Sequence, residues 1–427
     1  MMRSLFRTLR YKGFRLFFIG QGISLIGTQM QLVALSWLAY RLTGSASMLG
    51  LVNFVSRSPT FVFAPLAGVI TDRIDRRKAF FITQALAMLQ AALLAWLVLS
   101  GRIQVWHLFV LGFGLGVING FEVPVRQALI FDVVEDKADL GNALALNTTL
   151  INGGSLLGPL VAGPLIALIG EGPCFVANAI SFIAVLACVA AMPLIVDAAP
   201  RNAQSGGRAF REGFQYVRAH APIRSLLLIL FLVSLVGFPH QVLLPVFAKE
   251  VLGGGPKLLG ALSAASGAGA LLGTLYLAGR PTMNGLGRRL ALAATVFGLS
   301  LVGFALARTP WLSMLFLAPA GLGSAMVITG CQTLIQGLVD DPLRGRVMSF
   351  YTMAFMGTVP FGGVLYGFLA ERLGAPVTVL LGGLACAAAG VVFWLRLPGF
   401  RAKARPILER KGVLEPRAPA ALQGARP

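Results

Sequence analysis

Glu122 is the carboxylate that falls inside an apolar run, with Asn119 three residues before it and Arg126 four residues after. On a helix these three share a face. Desolvation raises a carboxyl pKa towards working pH, which suits Glu122 to take up and release a proton. Glu122 and Arg126 also stand in the favourable order for an i,i+4 ion pair, so mutual neutralisation is the competing reading. Arg57 is a second charge within an apolar run. A buried arginine in such a run is costly and marks function, and the alternative is that its head group snorkels to the surface about two turns away. Arg57, Glu122 and Arg126 are therefore the candidates for coupling to protons. Gln21, Ser24, Thr28 and Gln31 recur at helical spacing as one wet stripe. In lipid such a stripe faces protein or a water-filled cavity. With Asn119 these residues are candidates for a substrate cavity, and hydrogen bonding between helices is the alternative.

The elements that must position these groups are membrane spans. Of 427 residues, 56% are hydrophobic and 12% charged, and mean hydropathy is +0.79. Soluble domains carry about 25% charged residues, so an all-α polytopic membrane protein is expected. Twelve apolar runs fall at about 14–40, 49–70, 79–99, 107–125, 141–169, 173–194, 223–248, 258–278, 289–307, 312–334, 347–370 and 377–397. The first follows a basic arm and is too long for a cleaved leader, so it is expected to be retained. Residues 197–222 read as a cytoplasmic linker with a surface helix between six-helix bundles at 1–196 and 223–397, and residues 398–427 as a disordered tail. Cys174, Cys188, Cys331 and Cys386 lie in apolar runs without ligand spacing and read as small buried hydrophobes, with no metal site or cofactor expected.

The halves repeat. Gln127–Asp136, QALIFDVVED, aligns with Gln332–Asp341, QTLIQGLVDD, each ending the fourth span of its half. Basic residues fall on one side. With the N-terminus inside, the outer turns hold Arg41, Arg102, Lys249, Lys257, Arg308 and Arg372, Arg57 lies within a span, and the rest of the 36 lie inside. Both termini are thus expected in the cytoplasm. The asymmetry also accounts for the net charge of +20 without a nucleic-acid partner.

The turn between spans 2 and 3, GVITDRIDRRK, carries Gly68-x3-Asp72-Arg73-x2-Arg76-Arg77. It resembles the loop 2–3 signature of the major facilitator superfamily, with Asp75 where that family often has glycine. Gly154-x3-Gly158-Pro159-x3-Gly163 resembles the span 5 signature of the superfamily's antiporters, with Ala145 and Ala162 where glycine is preferred. RYKGFRLFFIGQGISLIGTQM in span 1 and LRGRVMSFYTMAFMGTVPFGG at span 11 are similar to the exporter branch that includes the enterobactin exporter and related permeases. The resemblance implies two pseudo-symmetric six-helix halves that rock about a midplane site. It further implies a cytoplasmic gate at Gly68, Asp72, Arg73, Arg76 and Arg77, with Asp72 near the start of span 11 beyond Arg344 and Arg346.

The expected function is secondary active export of a small amphipathic molecule, drug- or siderophore-like, across the cytoplasmic membrane by proton antiport. The expected partners are that molecule, protons and the bilayer, with the chain acting as a monomer. A lipid or lysophospholipid transporter on the same fold, and a membrane receptor or assembly factor without transport, are the alternatives. Uptake is disfavoured by the span 5 signature. Enzymatic activity is not expected: His107, His220 and His240 are scattered, no nucleophile elbow occurs, and 253–257 lacks the Gly-Lys-Ser/Thr of a phosphate loop.

Overall fold

The computed structural model describes residues 7–71, 75–136, 139–192, 206–279, 283–340 and 343–412, without the side chains of 64–66, 68–71 and 206–210. The first six long helices are α1 (Lys12–Thr43), α2 (Ala46–Thr71), α3 (Arg76–Leu99), α4 (Val105–Val133), α5 (Leu140–Ile169) and α6 (Gly172–Ala190). A shorter helix, α7 (Gly206–Ala219), leads into α8 (Ala221–Val251), α9 (Pro256–Ala278), α10 (Leu286–Leu306), α11 (Pro310–Leu338), α12 (Arg344–Leu373) and α13 (Ala375–Leu395), followed by α14 (Leu397–Arg410). Eleven of these helices are long and apolar enough to cross a membrane. The 26-residue α2 packs between α4 and α12 as the twelfth.

Each apolar run becomes a helix because a chain in lipid must satisfy its own backbone groups. The charged turn before α3 starts that helix by capping it: the Asp75 carboxylate accepts from the backbone N–H groups of Arg77 and Lys78. At the other end of α1, Gly44 takes the left-handed conformation (φ 60°) that stops the helix and turns the chain into α2. Two spans are broken inside the bilayer. α8 passes through a 3₁₀ segment at Phe238–Leu243 and a π turn at Phe247–Val251, and α12 through a π turn at Met353–Gly357. Pro239, Pro245 and Pro360 lie in or beside these breaks, where each removes a backbone donor from the helical ladder.

The helices form two groups. In the first, α1 packs on α5 and α6, α3 on α4 and α6, and α2 on α4. In the second, α9 packs on α11, and α10 on α11 and α13. Contacts between the groups run through α2 against α12 and α5 against α9. The direction of each span places the start of α1, the linker helix and α14 at one end of the bundle, the terminus-bearing end. Gly44, Glu171, Glu250 and Glu371 lie at the opposite end.

The linker helix is docked on protein. Gly213 of α7 faces Arg346 and Phe350 of α12, Glu212 pairs with Arg346, and the Tyr216 hydroxyl donates to Asp340 Oδ2 at 3.0 Å. Lys411 Nζ lies 2.8 Å from Asp340 Oδ1, so one carboxylate ties α7 and the end of α14 to the foot of α11. Residues 397–410 are thus helical where a disordered tail was expected. The reason lies in the sequence: Leu397, Ala404 and Leu408 are buried on one face of α14, a periodicity hidden among Arg and Pro. Residues 413–427 lie outside the described residues.

The Lys411 ammonium and the Tyr216 hydroxyl hold the Asp340 carboxyl below its usual range. A depressed folded-state value means this tie is complete above the ordinary carboxyl pKa and is lost as pH falls through the lowered one. Asp340→Asn should therefore speed amide hydrogen exchange in α7 and α14 at neutral pH, while wild-type exchange there shows no loss of docking between about pH 6 and 8. Unchanged exchange in the variant would remove Asp340 from that role.

Candidate functional site

On α4, Glu122 Oε1 lies 3.2 Å from Arg126 Nε, and both side chains are 14% exposed. Arg126 Nε makes no hydrogen bond of good geometry, so charge, more than a directed bond, holds the pair. Between them, Pro124 takes away the donor that would reach the Gly120 carbonyl. Asn119 falls on the same face, half-buried, within about 60° of both at 100° per residue. That face lies between the side of α4 packed on α2, through Gly112 and Gly116, and the side packed on α3, through Leu115 and Ile118.

Arg57 stands apart from this pair. It is exposed on α2 and makes no hydrogen bond or ion pair among the described residues. Its neighbour Ser56 packs on Gly112 and Gly116, which puts Arg57 on the order of 9–15 Å along the α4 axis from Glu122. The three candidates for proton coupling are thus one pair and one separate cation.

The wet stripe of α1 packs against α3 and α6. Gln31 Nε2 donates to Gln90 Oε1 of α3 at 3.1 Å, and Gln31 Oε1 accepts from Asn178 Nδ2 of α6 at 2.8 Å. Thr28 Oγ1 reaches Asn178 Oδ1 at 3.5 Å. Gln21 and Ser24 are buried on the same side, Gln21 Nε2 without a partner, between Gly20 against Cys188 and Gly27 against Asn178. For Thr28 and Gln31 the contacts are those of the second reading, hydrogen bonding between helices: polar side chains in lipid bind one another when partners are in reach. The partners, Gln90 and Asn178, are amides inside apolar runs, and Asn178 is the lone amide of its run. Asn119 alone of the proposed cavity residues shares the face of the charged pair.

The span 5 glycines serve two neighbours. Gly154 and Gly158 lie against Leu25, Ile26 and Gln29 of α1, whereas Gly163 and the Pro159 carbonyl meet Gly260 of α9. A Cβ on Gly260 would lie 2.5 Å from the Pro159 oxygen, and one on Gly50 of α2 would lie 2.5 Å from the Gly363 oxygen of α12. These contacts join the halves near the end away from the termini. Polar contacts lock the same end: Tyr40 donates to Glu250, Ser45 and Ser47 bind Glu371 with Ser47 Oγ at 2.7 Å, and Lys249 lies 5.4 Å over the Tyr40 ring. Among the described residues, the one other hydrogen bond between halves is Asn152 Nδ2 to Thr274 Oγ1 at 3.0 Å, near mid-membrane.

The proposed gate lies at the terminus-bearing end. Asp72 and Arg73 fall outside the described residues, as does everything of Gly68 beyond its helical backbone. Arg76 Nη1 binds both Asp132 oxygens of α4, at 2.7 and 2.9 Å. Arg77 donates to the carbonyls of Val189 and Ala190 at the end of α6, at 2.9 and 2.6 Å. These two arginines therefore brace α3 against its own half.

A family model described as transmembrane secretion effector, of the major facilitator type, matches residues 3–417. The chain is 27% identical over 380 residues to the staphyloferrin A transporter of Staphylococcus aureus, covering 88% of this chain and 94% of that protein. It is 25% identical to macrolide efflux protein A of Streptococcus pyogenes over 85% and 91% of the two chains. To the multidrug efflux pump Tap of Mycobacterium tuberculosis it is 26% identical, over 88% and 91%. Among solved structures, a POT peptide transporter superposes with a TM-score of 0.73 at 14% identity over 91% and 95%. The nucleoside transporter NupG does so at 0.70 and 15% over 90% and 99%, a likeness of fold.

Asn178→Ala strands Gln31 Oε1 and should destabilise the protein by about 1–3 kcal/mol, read as a lowered melting temperature in detergent. Transport per folded molecule should stay within about twofold of wild type, since the network packs helices. A variant of full stability that has lost transport would return Gln31 and Asn178 to the substrate path.

Proposed function

The chain belongs to the transmembrane secretion effector family of the major facilitator superfamily, and on that premise we propose that it exports a small amphipathic molecule across the cytoplasmic membrane by alternating access, driven by proton antiport. The observation that carries this reading is the Glu122–Arg126 pair, an acid and a base held within the membrane. Export from the cytoplasm is in keeping with relatives named for efflux of macrolides and drugs.

The pairing gives a means of exchange. Ionised Glu122 is held by Arg126; a proton on Glu122 removes the charge that holds it, and Arg126 is released. Such a pair can be loaded with a proton on one side of the membrane and emptied on the other, which is what antiport requires. The basic residues gathered at the terminus-bearing end put that end in the cytoplasm. The contacts of Tyr40 with Glu250 and of Ser47 with Glu371 then hold the halves together at the outer end, which suits a state open to the cytoplasm. The gate proposed at Gly68, Asp72, Arg73, Arg76 and Arg77 would close the inner end in the opposite state. A single chain contains both halves and so suffices for the cycle.

Lipid transport is the second reading, and it has one observation in its favour: an apolar cleft of about 350 Å³ between α10 and α11, lined by Val296, Leu299, Ser300, Leu315, Phe316 and Pro319. The cleft contains no ionisable group, so nothing in it would couple lipid movement to protons.

Efflux of a panel of dyes and siderophore-like catecholates from loaded cells should require both the proton gradient and Glu122. Glu122→Gln, which keeps the side-chain shape and discards the charge, should lower gradient-driven efflux at least tenfold at unchanged expression. Gradient-dependent efflux that survives this variant would move proton coupling elsewhere, and absence of efflux of the whole panel by inserted wild-type protein would count against drug export.

A further inference from the structure

The contacts of α2 fix the direction in which Arg57 points. Ser56 and Thr60 face α4, through Gly112, Gly116 and a hydrogen bond to the Gly116 carbonyl at 2.9 Å. Gly50, Phe54 and Phe61 face α12, through Gly363, Phe361 and Gly357. At 100° per residue these two directions are about 120° apart. A helix on the rim of a convex bundle turns the narrower arc between its neighbours inward and the wider arc outward. Val62, 58% exposed, falls in the wide arc with lipid. Arg57 and Asn53 fall in the narrow one, so the exposed surface of Arg57 belongs to the space between the halves.

Depth sharpens the point. Arg57 lies about 17 Å along α2 from its start at Ala46, near the middle of a hydrocarbon layer about 30 Å thick. Glu122 and Arg126 neutralise each other, and no described carboxylate pairs with Arg57. The inner wall made by α2 and α4 thus carries one uncompensated positive charge. Asn53, one turn before Arg57, has an amide oxygen that is buried without a hydrogen-bond partner, and the same amide turned over presents its N–H groups.

We propose that Arg57, with the Asn53 amide beside it, forms the cargo site for an anionic group, a carboxylate above all, so that the exported molecule is an amphipathic acid. A guanidinium offers a planar fork of donors that matches a carboxylate, and away from bulk water this contact discriminates strongly against neutral or cationic molecules. Division of labour follows: Arg57 reads the cargo while the Glu122–Arg126 pair, deeper towards the terminus-bearing end, handles the proton. The assignment deepens the export reading and rests on it for the word cargo, but its electrostatics can be tested without turnover.

The experiment places a single cysteine at Asn53→Cys, with the four native cysteines changed to alanine, in reconstituted protein that runs as one monodisperse species. Its reaction rates with sulfonatoethyl and trimethylammonioethyl methanethiosulfonate are compared. Arg57 should favour the anionic reagent, Arg57→Lys should keep that preference, and Arg57→Gln should reduce the anion-to-cation rate ratio about tenfold. Binding of fluorescein, with benzoate and citrate as competitors, is then read by fluorescence polarisation on protein that keeps Asn53. Fluorescein should bind, at least one carboxylate should displace it, and binding should vanish with Arg57→Gln. A cysteine that neither reagent reaches, a rate ratio indifferent to Arg57, or fluorescein binding that is absent or indifferent to Arg57 would each overturn the proposal. Efflux that fails while these results hold would overturn the export reading instead.

Discussion

The structure depends on how closely two pairs of helices approach across the line between its halves. Gly260 meets Pro159 and Gly163 on one side, and Gly50 meets Gly363 on the other. With no hydrophobic force to drive helices together in lipid, contact of backbone on backbone supplies the attraction, and only residues without a side chain allow it. Both contacts lie towards the end away from the termini. There the carboxylates of Glu250 and Glu371 each reach across to the other half. Further along the same seam Gly267 lies against Ser155 and Asn152 binds Thr274.

Polar groups within the membrane follow a single rule with two outcomes. Where partners are within reach, as for Gln31, Gln90 and Asn178, the groups satisfy one another and fasten α1, α3 and α6. Where the partner is a charge one turn away, as for Glu122 and Arg126, the pair is neutral as a whole. Arg57 has neither arrangement. A mid-membrane cation without an internal partner is sustained only by water or by what binds there, which is why it stands out in a bundle otherwise satisfied.

The sequence made the architecture legible because hydrophobic length is a strong signal: the apolar runs, the repeat of QALIFDVVED and QTLIQGLVDD, and the glycines of span 5 all point to the fold found. Helix ends moved outward where polar residues continue the turn, as when α12 begins at Arg344 ahead of its apolar run. The site was legible in part. The i,i+4 pairing of Glu122 with Arg126 is local and could be read from spacing. The stripe of α1 could not be assigned, because periodicity shows which residues share a face but not whether that face meets Asn178 or water. The α14 helix was missed because its apolar positions are diluted by Arg and Pro. The latch of Tyr40 on Glu250 joins residues distant in sequence, and no local pattern marks it.

In the proposed cycle the outer seam opens as the inner end closes. Pulsed electron paramagnetic resonance with spin labels at Ser100 and Arg308, and separately at Lys78 and Arg401, measures the two ends across the halves; all four positions are exposed. Ser100–Arg308 should give a single narrow distance in the resting state. Acidification should populate a longer one there as the Lys78–Arg401 distance shortens in the same proportion. Distances at both ends that stay fixed under acid and cargo, or that lengthen together, would contradict it.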